Sequence, residues 1–230
     1  MDFSILSQVL PDFLHGTLNT IIYCAVSFPL ALLLGVILAL MGSSRFVWLR
    51  GPARIYIEVI RSTPFIAQLF LIYYGLSTIL FSISGSLGGL NLAVYVNGWT
   101  AGIAVLAINY SAYEAEVFRA GFLSVERGQT EAALSLGLDS RQNFFRIVFP
   151  QAIPLMIPPF VNDLIYMLKD SAIVSVIAGF ELTSAFDFWR NKYGSNPTLL
   201  ILLVMVLYLV LSLPTSYFAR WYERKLRAAL

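Results

Sequence analysis

The sequence predicts an all-α integral membrane protein of about five transmembrane helices, with its N-terminus outside and its C-terminus inside. Three observations carry this. Hydrophobic residues make up 58% of the 230 and charged residues only 12%, at a mean hydropathy of +0.77; a soluble domain carries roughly twice that charge. Apolar runs of about 20 residues, the length that crosses a bilayer, recur five times. Lys and Arg gather on one side of the resulting five-span chain, which sets its orientation.

The first span runs 18–41 and ends at Gly42, Ser43 and Ser44. The second, 55–80, is less pure, and the third covers 98–118. The fourth, 153–180, reads as a broken helix, interrupted by Pro154, Pro158 and Pro159 and carrying Lys169 and Asp170. The fifth, 199–218, is the cleanest. Twelve of the fifteen Lys and Arg fall after span one, around the loop that follows span three, or at the C-terminal end. Arg190 and Lys192 lie on the other side, and Lys169 lies within span four. The stretch 82–98 has no charge at all. Trp48, Trp99, Trp189 and Trp221 fall near span ends and read as interfacial anchors. Positions 1–15 hold no Lys or Arg, so a cleavable signal peptide is not expected.

Several function classes are excluded at this level. A net charge of +2 is too mild for a nucleic-acid partner. The single Cys24 and single His15 have no companions at metal-ligand spacing. No GxxxxGK[ST] stretch is present to cradle a nucleotide phosphate, and no Ser/His/Asp set for catalysis. The chain is therefore not expected to be an enzyme, nor to hold a cofactor or metal of its own.

The loop at about 128–150 is polar yet well punctuated. Glu131-Ala132-Ala133-Leu134 is strongly helix-forming, starting near Gln129 or Thr130, and Gly137 suits a left-handed helix end. Asp139 or Ser140 then caps a second helix over about 141–149, which Pro150 halts. Leu134, Leu136, Leu138, Phe144 and Phe145 leave an apolar surface that needs a partner.

Ionisable groups within spans are rare and face a cavity or each other. Span four places Asn162, Tyr166 and Lys169 on one side and Asp163, Tyr166 and Asp170 on an adjoining strip. The stripe reads as either a buried structural network or, with Gln68, Tyr110 and Glu114, the lining of a candidate substrate path. Glu58–Arg61 and Glu116–Arg119, each three residues apart, are expected to pair.

The spacing Glu131-Ala132-Ala133, Gly137, Ile147, Pro150 resembles the EAA loop of the permeases of binding-protein-dependent ABC importers, with Phe149 where the family has leucine. The segments 58–64, 68–75, 111–121 and 158–177 are similar to the polar amino acid branch of that family, so the resemblance covers roughly 16–226. It implies that Glu131, Ala132, Ala133, Leu134, Gly137, Ile147 and Pro150 form an ATPase-coupling loop. It further implies a second permease (the same or a sister chain), two cytoplasmic ATP-binding subunits using ATP and Mg, an extracytoplasmic solute-binding protein, and a place in the bacterial inner membrane. The solute expected is a polar amino acid, basic ones included. The alternatives are another small solute, such as an opine or a sulfur amino acid, or an ATP-independent secondary transporter. Against the last stand the docking loop and the lack of an internal repeat.

Overall fold

The computed structural model describes residues 4–86, 92–177, 179–193 and 197–227, and every described element is helical. The charge-free stretch 82–98 includes 87–91, which lie outside the described residues, as does residue 178 of the expected fourth span.

Helix α1 (Ser4–Gly42) begins well before the expected span. Its first turns pack rather than wave free. Val9 and Phe13 are fully buried against Leu182, Ala185 and Leu200, an apolar face that Pro11 and Asp12 conceal in the sequence. The next stretch corrects the expected second span. The range 55–80 is divided at Thr63–Pro64, between α2 (Val47–Ser62) and α3 (Phe65–Phe70). The residue before a proline is pushed out of helical geometry, and Thr63 accordingly takes φ −110° and ψ 144°. A π turn (Leu71–Leu76) joins α3 to α4 (Ser77–Ser86).

After a 3₁₀ turn (Leu92–Tyr95) comes α5 (Gly98–Ser124), opened by a capping box between Asn97 and Thr100. The loop helices α6 (Arg127–Ser135) and α7 (Ser140–Asn143) follow. A π turn (Phe144–Val148) then runs into α8 (Phe149–Asp170). Two expectations fail here. Pro150 does not halt a helix, and Pro154, Pro158 and Pro159 do not break one. The wide π turn just before Pro150 opens the backbone where a proline ring would otherwise crowd the preceding turn. Amides in an apolar surrounding have no water to turn to, so the helix persists through prolines. Regularity is lost later, in a 3₁₀ run over Ser171–Ile177. The chain closes with α9 (Leu182–Tyr193) and α10 (Thr198–Arg227).

Four stretches among the described residues are long and apolar enough to cross a membrane: Leu6–Gly42, Phe65–Ser84, Ser140–Ile177 and Thr198–Leu226. Helix α5 is outside that set, diluted by Asn109, Glu114, Glu116 and Arg119. Its 27 residues still reach about 40 Å, and its neighbours cover it.

The α1–α5 seam is the main internal contact. Ser27, Ala31, Gly35 and Ala39 recur every four residues on one face of α1, and all four are buried, Ser27, Ala31 and Ala39 to 2% exposure or less. Small residues at this spacing let helix backbones approach closely in a membrane. A Cβ placed on Gly35 would lie 2.7 Å from Glu114 Cβ and 3.1 Å from the Ala115 backbone nitrogen. Ser27 Oγ adds a bond to the Ile103 carbonyl at 3.2 Å. Gly35→Val should therefore force the two helices apart and lower the melting temperature of the purified protein by several degrees. Gly42→Ala, where an added Cβ meets nothing within 4 Å, should melt close to the wild type, and paired thermal melts check both.

Two of the expected tryptophan anchors are instead packed inside. Trp99 stacks on Tyr23 at 4.4 Å, and Trp189 Nε1 donates to Asp12 Oδ2 at 2.9 Å. Trp48 and Trp221 are exposed.

Candidate functional site

Two surfaces of the chain carry unusual chemistry: the α6–α7 loop and the polar clefts beside α5 and α8.

Helix α6 starts two residues earlier than expected, after Glu126, which makes no side-chain cap bond. Its end is built as a Schellman motif. The Leu138 N–H reaches the Ala133 carbonyl at 3.1 Å and the Gly137 N–H the Leu134 carbonyl at 3.0 Å. Gly137 makes this possible at φ +82°, a left-handed conformation costly for any residue with a Cβ. Asp139 then caps α7 through the Gln142 N–H at 2.8 Å. Ala133 and Asn143 turn inward, the latter donating to Thr130 Oγ1 at 3.4 Å. Beneath them, Phe122 and Phe144 meet edge to face at 5.2 Å and Phe149 closes the cluster. The apolar surface expected of this loop is thus divided. Phe144 is half covered, while Leu134, Leu136 and Phe145 face outward, Leu136 at 81% exposure. Glu131 and Ala132 share that outward face, Pro150 is exposed and Ile147 is half-buried.

The path candidates separate into three groups. Asp163, Tyr166 and Asp170 line one cleft of ≈ 200 Å³ with Thr63, Tyr110 and Tyr113. Asp170 is held there by the Tyr110 hydroxyl at 2.8 Å. Asp163 and Tyr113 also line a larger cleft of ≈ 490 Å³ that opens toward the α6 end past Arg61, Glu116 and Arg119. Asn162 and Lys169 are exposed outside these walls, with Lys169 Nζ over the Tyr166 ring at 5.5 Å.

Gln68 and Glu114 are not on the walls. Gln68 is a latch across the α2–α3 break. Its Nε2 donates to the Ile60 carbonyl and to Thr63 Oγ1, both at 2.8 Å, while its Oε1 accepts from Asn109 Nδ2 at 3.0 Å. The amide thereby satisfies backbone groups that the break would leave without partners. Glu114 is at 0% exposure with neither carboxyl oxygen hydrogen-bonded, pressed against Gly35 of α1.

The expected pairs divide as well. Arg119 Nε donates to Glu116 Oε2 at 2.9 Å. Glu58 and Arg61 make no ion pair, because Arg61 turns its guanidinium over the Tyr113 ring at 5.4 Å. Thr63 and Tyr113 are wall residues that the sequence does not single out, and Arg61, expected to pair with Glu58, is a third. The overlooked signal is Pro64, which interrupts an apolar run and so marks irregular backbone, tolerated at membrane depth beside a cavity.

At the opposite end, buried Glu181 was also passed over. It caps α9 by accepting the Thr183 and Ser184 N–H groups at 2.8 Å each, and the Tyr208 hydroxyl at 3.0 Å. Burial outweighs those donors and pushes its carboxyl up to about 7 from the ordinary 4.5. The folded chain thus holds this proton more tightly than the unfolded one. The stabilisation is complete below about pH 4.5 and is lost as pH rises through about 7. Between pH 5 and 8 the wild type should lose more melting temperature than Glu181→Gln, which melts at those two pH values would register.

These features define a helical membrane protein with an exposed, partly apolar loop at one end and an acid-walled cleft within. Residues 31–228 match the family described as binding-protein-dependent transport system inner membrane component, and the chain belongs to it. It is 32% identical over 232 residues to an arginine transport system permease protein of Bacillus subtilis (strain 168), covering 99% of this chain and 98% of that one. It is also 32% identical over 230 residues to a probable glutamine ABC transporter permease protein of the same strain, covering 98% of each. A crystal structure of an amino acid ABC transporter with histidines superposes at TM-score 0.85 and 36% identity, over 98% of this chain and 99% of that one.

Proposed function

We propose that this chain is the inner-membrane permease of an ATP-driven importer that carries a polar amino acid, basic ones included, delivered by an extracytoplasmic binding protein. The observation that carries this is the cleft where Asp163 and Asp170 face Thr63, Tyr110 and Tyr113, joined in one chain to an outward-facing Glu131–Leu136 surface. An amino acid always brings an ammonium group, and two carboxylates beside tyrosine hydroxyls are a suitable receptor for it. The relatives named for arginine and glutamine support the same solute class.

In this reading α5 is a fifth, central span, the N-terminus lies outside, and the α6 end faces the cytoplasm. Glu131, Ala132, Leu134 and Gly137 meet a cytoplasmic ATP-binding subunit, one for each of two permeases, and ATP with Mg is held there. The second permease, a copy or a sister chain, covers the open side of the clefts. Closure of the ATP-binding subunits moves the loops and switches the clefts from one side of the membrane to the other.

Two measurements test this. In proteoliposomes holding the complete assembly, Asp163→Asn should weaken uptake of L-arginine by about tenfold or more, the order expected on losing a charge-assisted contact; unchanged uptake affinity would remove Asp163 from the site. Separately, Gly137→Pro and Glu131→Arg should insert and assemble normally yet lose most solute-stimulated ATP hydrolysis. A phosphate-release assay showing wild-type stimulation in both variants would overturn the docking assignment.

A further inference from the structure

The charges on the cleft walls are unevenly satisfied. Asp170 has the Tyr110 hydroxyl, and Glu116 has Arg119. Asp163 accepts no hydrogen bond from the described residues, although it sits where the two clefts meet. Arg61 is the matching case among the cations. It makes no ion pair among the described residues, its guanidinium rests on the face of Tyr113, and it lines both the larger cleft and a neighbouring one bounded by Glu58 and Glu116. Tyr113 is shared by the two clefts that contain Asp163, so Arg61 is stationed beside the junction and lines the larger cleft together with Asp163.

We propose that Arg61 is an exchange partner for Asp163: its guanidinium competes with the ammonium or guanidinium of the bound solute for that carboxylate, and so promotes release toward the α6 end. The idea rests on the clefts being the solute path. A flat cation resting on an aromatic face at an exposed site is held weakly enough to leave. Arg61 is exposed and carried on the last turn of α2, next to the break at Thr63. An unpaired carboxylate at the junction, by contrast, would hold a cationic solute and slow its departure. A tethered cation that swings in as the solute swings out keeps the carboxylate compensated throughout.

The experiment is a calorimetric titration of L-arginine into the complete detergent-solubilised assembly without nucleotide. Removing the competitor should tighten binding, so Arg61→Gln is expected to bind about tenfold more tightly than the wild type, a difference of one decade in Kd. Arg61→Lys should stay near the wild type, and the gain should vanish when Arg61→Gln is placed on Asp163→Asn. Raising salt should shrink the difference, since partly exposed charges are screened. Unchanged or weaker binding by Arg61→Gln would overturn the exchange, as would equal tightening with and without Asp163. A purely structural role at the end of α2 gives one of those two results together with a lower melting temperature. If wild-type protein binds neither L-arginine nor L-glutamine, the solute path itself is wrong and the exchange falls with it. If the wild type binds and Arg61→Gln does not differ, only the exchange falls.

Discussion

The close approach of α1 to α5 is the constraint on which the rest of the chain depends. A helix carrying Asn109, Tyr110, Tyr113, Glu114, Glu116 and Arg119 is a poor membrane span alone, since each polar group in hydrocarbon costs free energy unless it is partnered or shielded. The small-residue face of α1 from Ser27 to Ala39 covers one side of α5 at backbone contact distance. With that side sealed, polar side chains on the remaining arc can face clefts without exposing α5 to lipid. Gly35 is the tightest point, and buried Glu114 lies directly against it.

A second constraint is backbone satisfaction at the α2–α3 break. A helix interrupted inside a membrane leaves carbonyls and amides without partners. The Gln68 side chain reaches back to Ile60 and Thr63 and is itself held by Asn109 of α5. Three elements are thereby tied at one point, and the wall residue Thr63 is positioned by an amide that never touches the cleft. Glutamine suits this task because one side chain supplies both donors and an acceptor.

Much of this architecture was legible in the sequence, and the failures share a cause. Apolar length located the strongly hydrophobic helices, and Gly137 announced its helix end because only glycine adopts that backbone conformation readily. Proline was misjudged in both directions. Pro64 was passed over although it splits a helix, while Pro150, Pro154, Pro158 and Pro159 were credited with breaks they do not make. The sequence names the missing N–H but not whether neighbouring helices hold the backbone in line, which is a tertiary property. The polar stripe on α8 puts Asp163, Tyr166 and Asp170 on one strip, and the three line one cleft. Gln68 and Glu114 lie off the cleft walls, and a polar residue inside a span reads the same in sequence whether it lines a cavity, latches a loop or is sealed between helices. Glu58 and Arg61 have the right spacing to pair, but an aromatic face three helical turns along α5 from its loop end offered Arg61 another seat.

The unbroken helical run from Ser140 to Asp170, π turn included, works mechanically as a lever. At 1.5 Å per residue its 31 residues span about 46 Å, with the docking loop at one end and the acid that Tyr110 holds at the other. A tilt of only about 5° about either end displaces the far end by about 4 Å at that length, more than enough to make or break a hydrogen bond. Four prolines lie in this rod, yet the helix runs continuously through all of them. On the proposed reading, a movement of the loop would reach the cleft through this one continuous helical run.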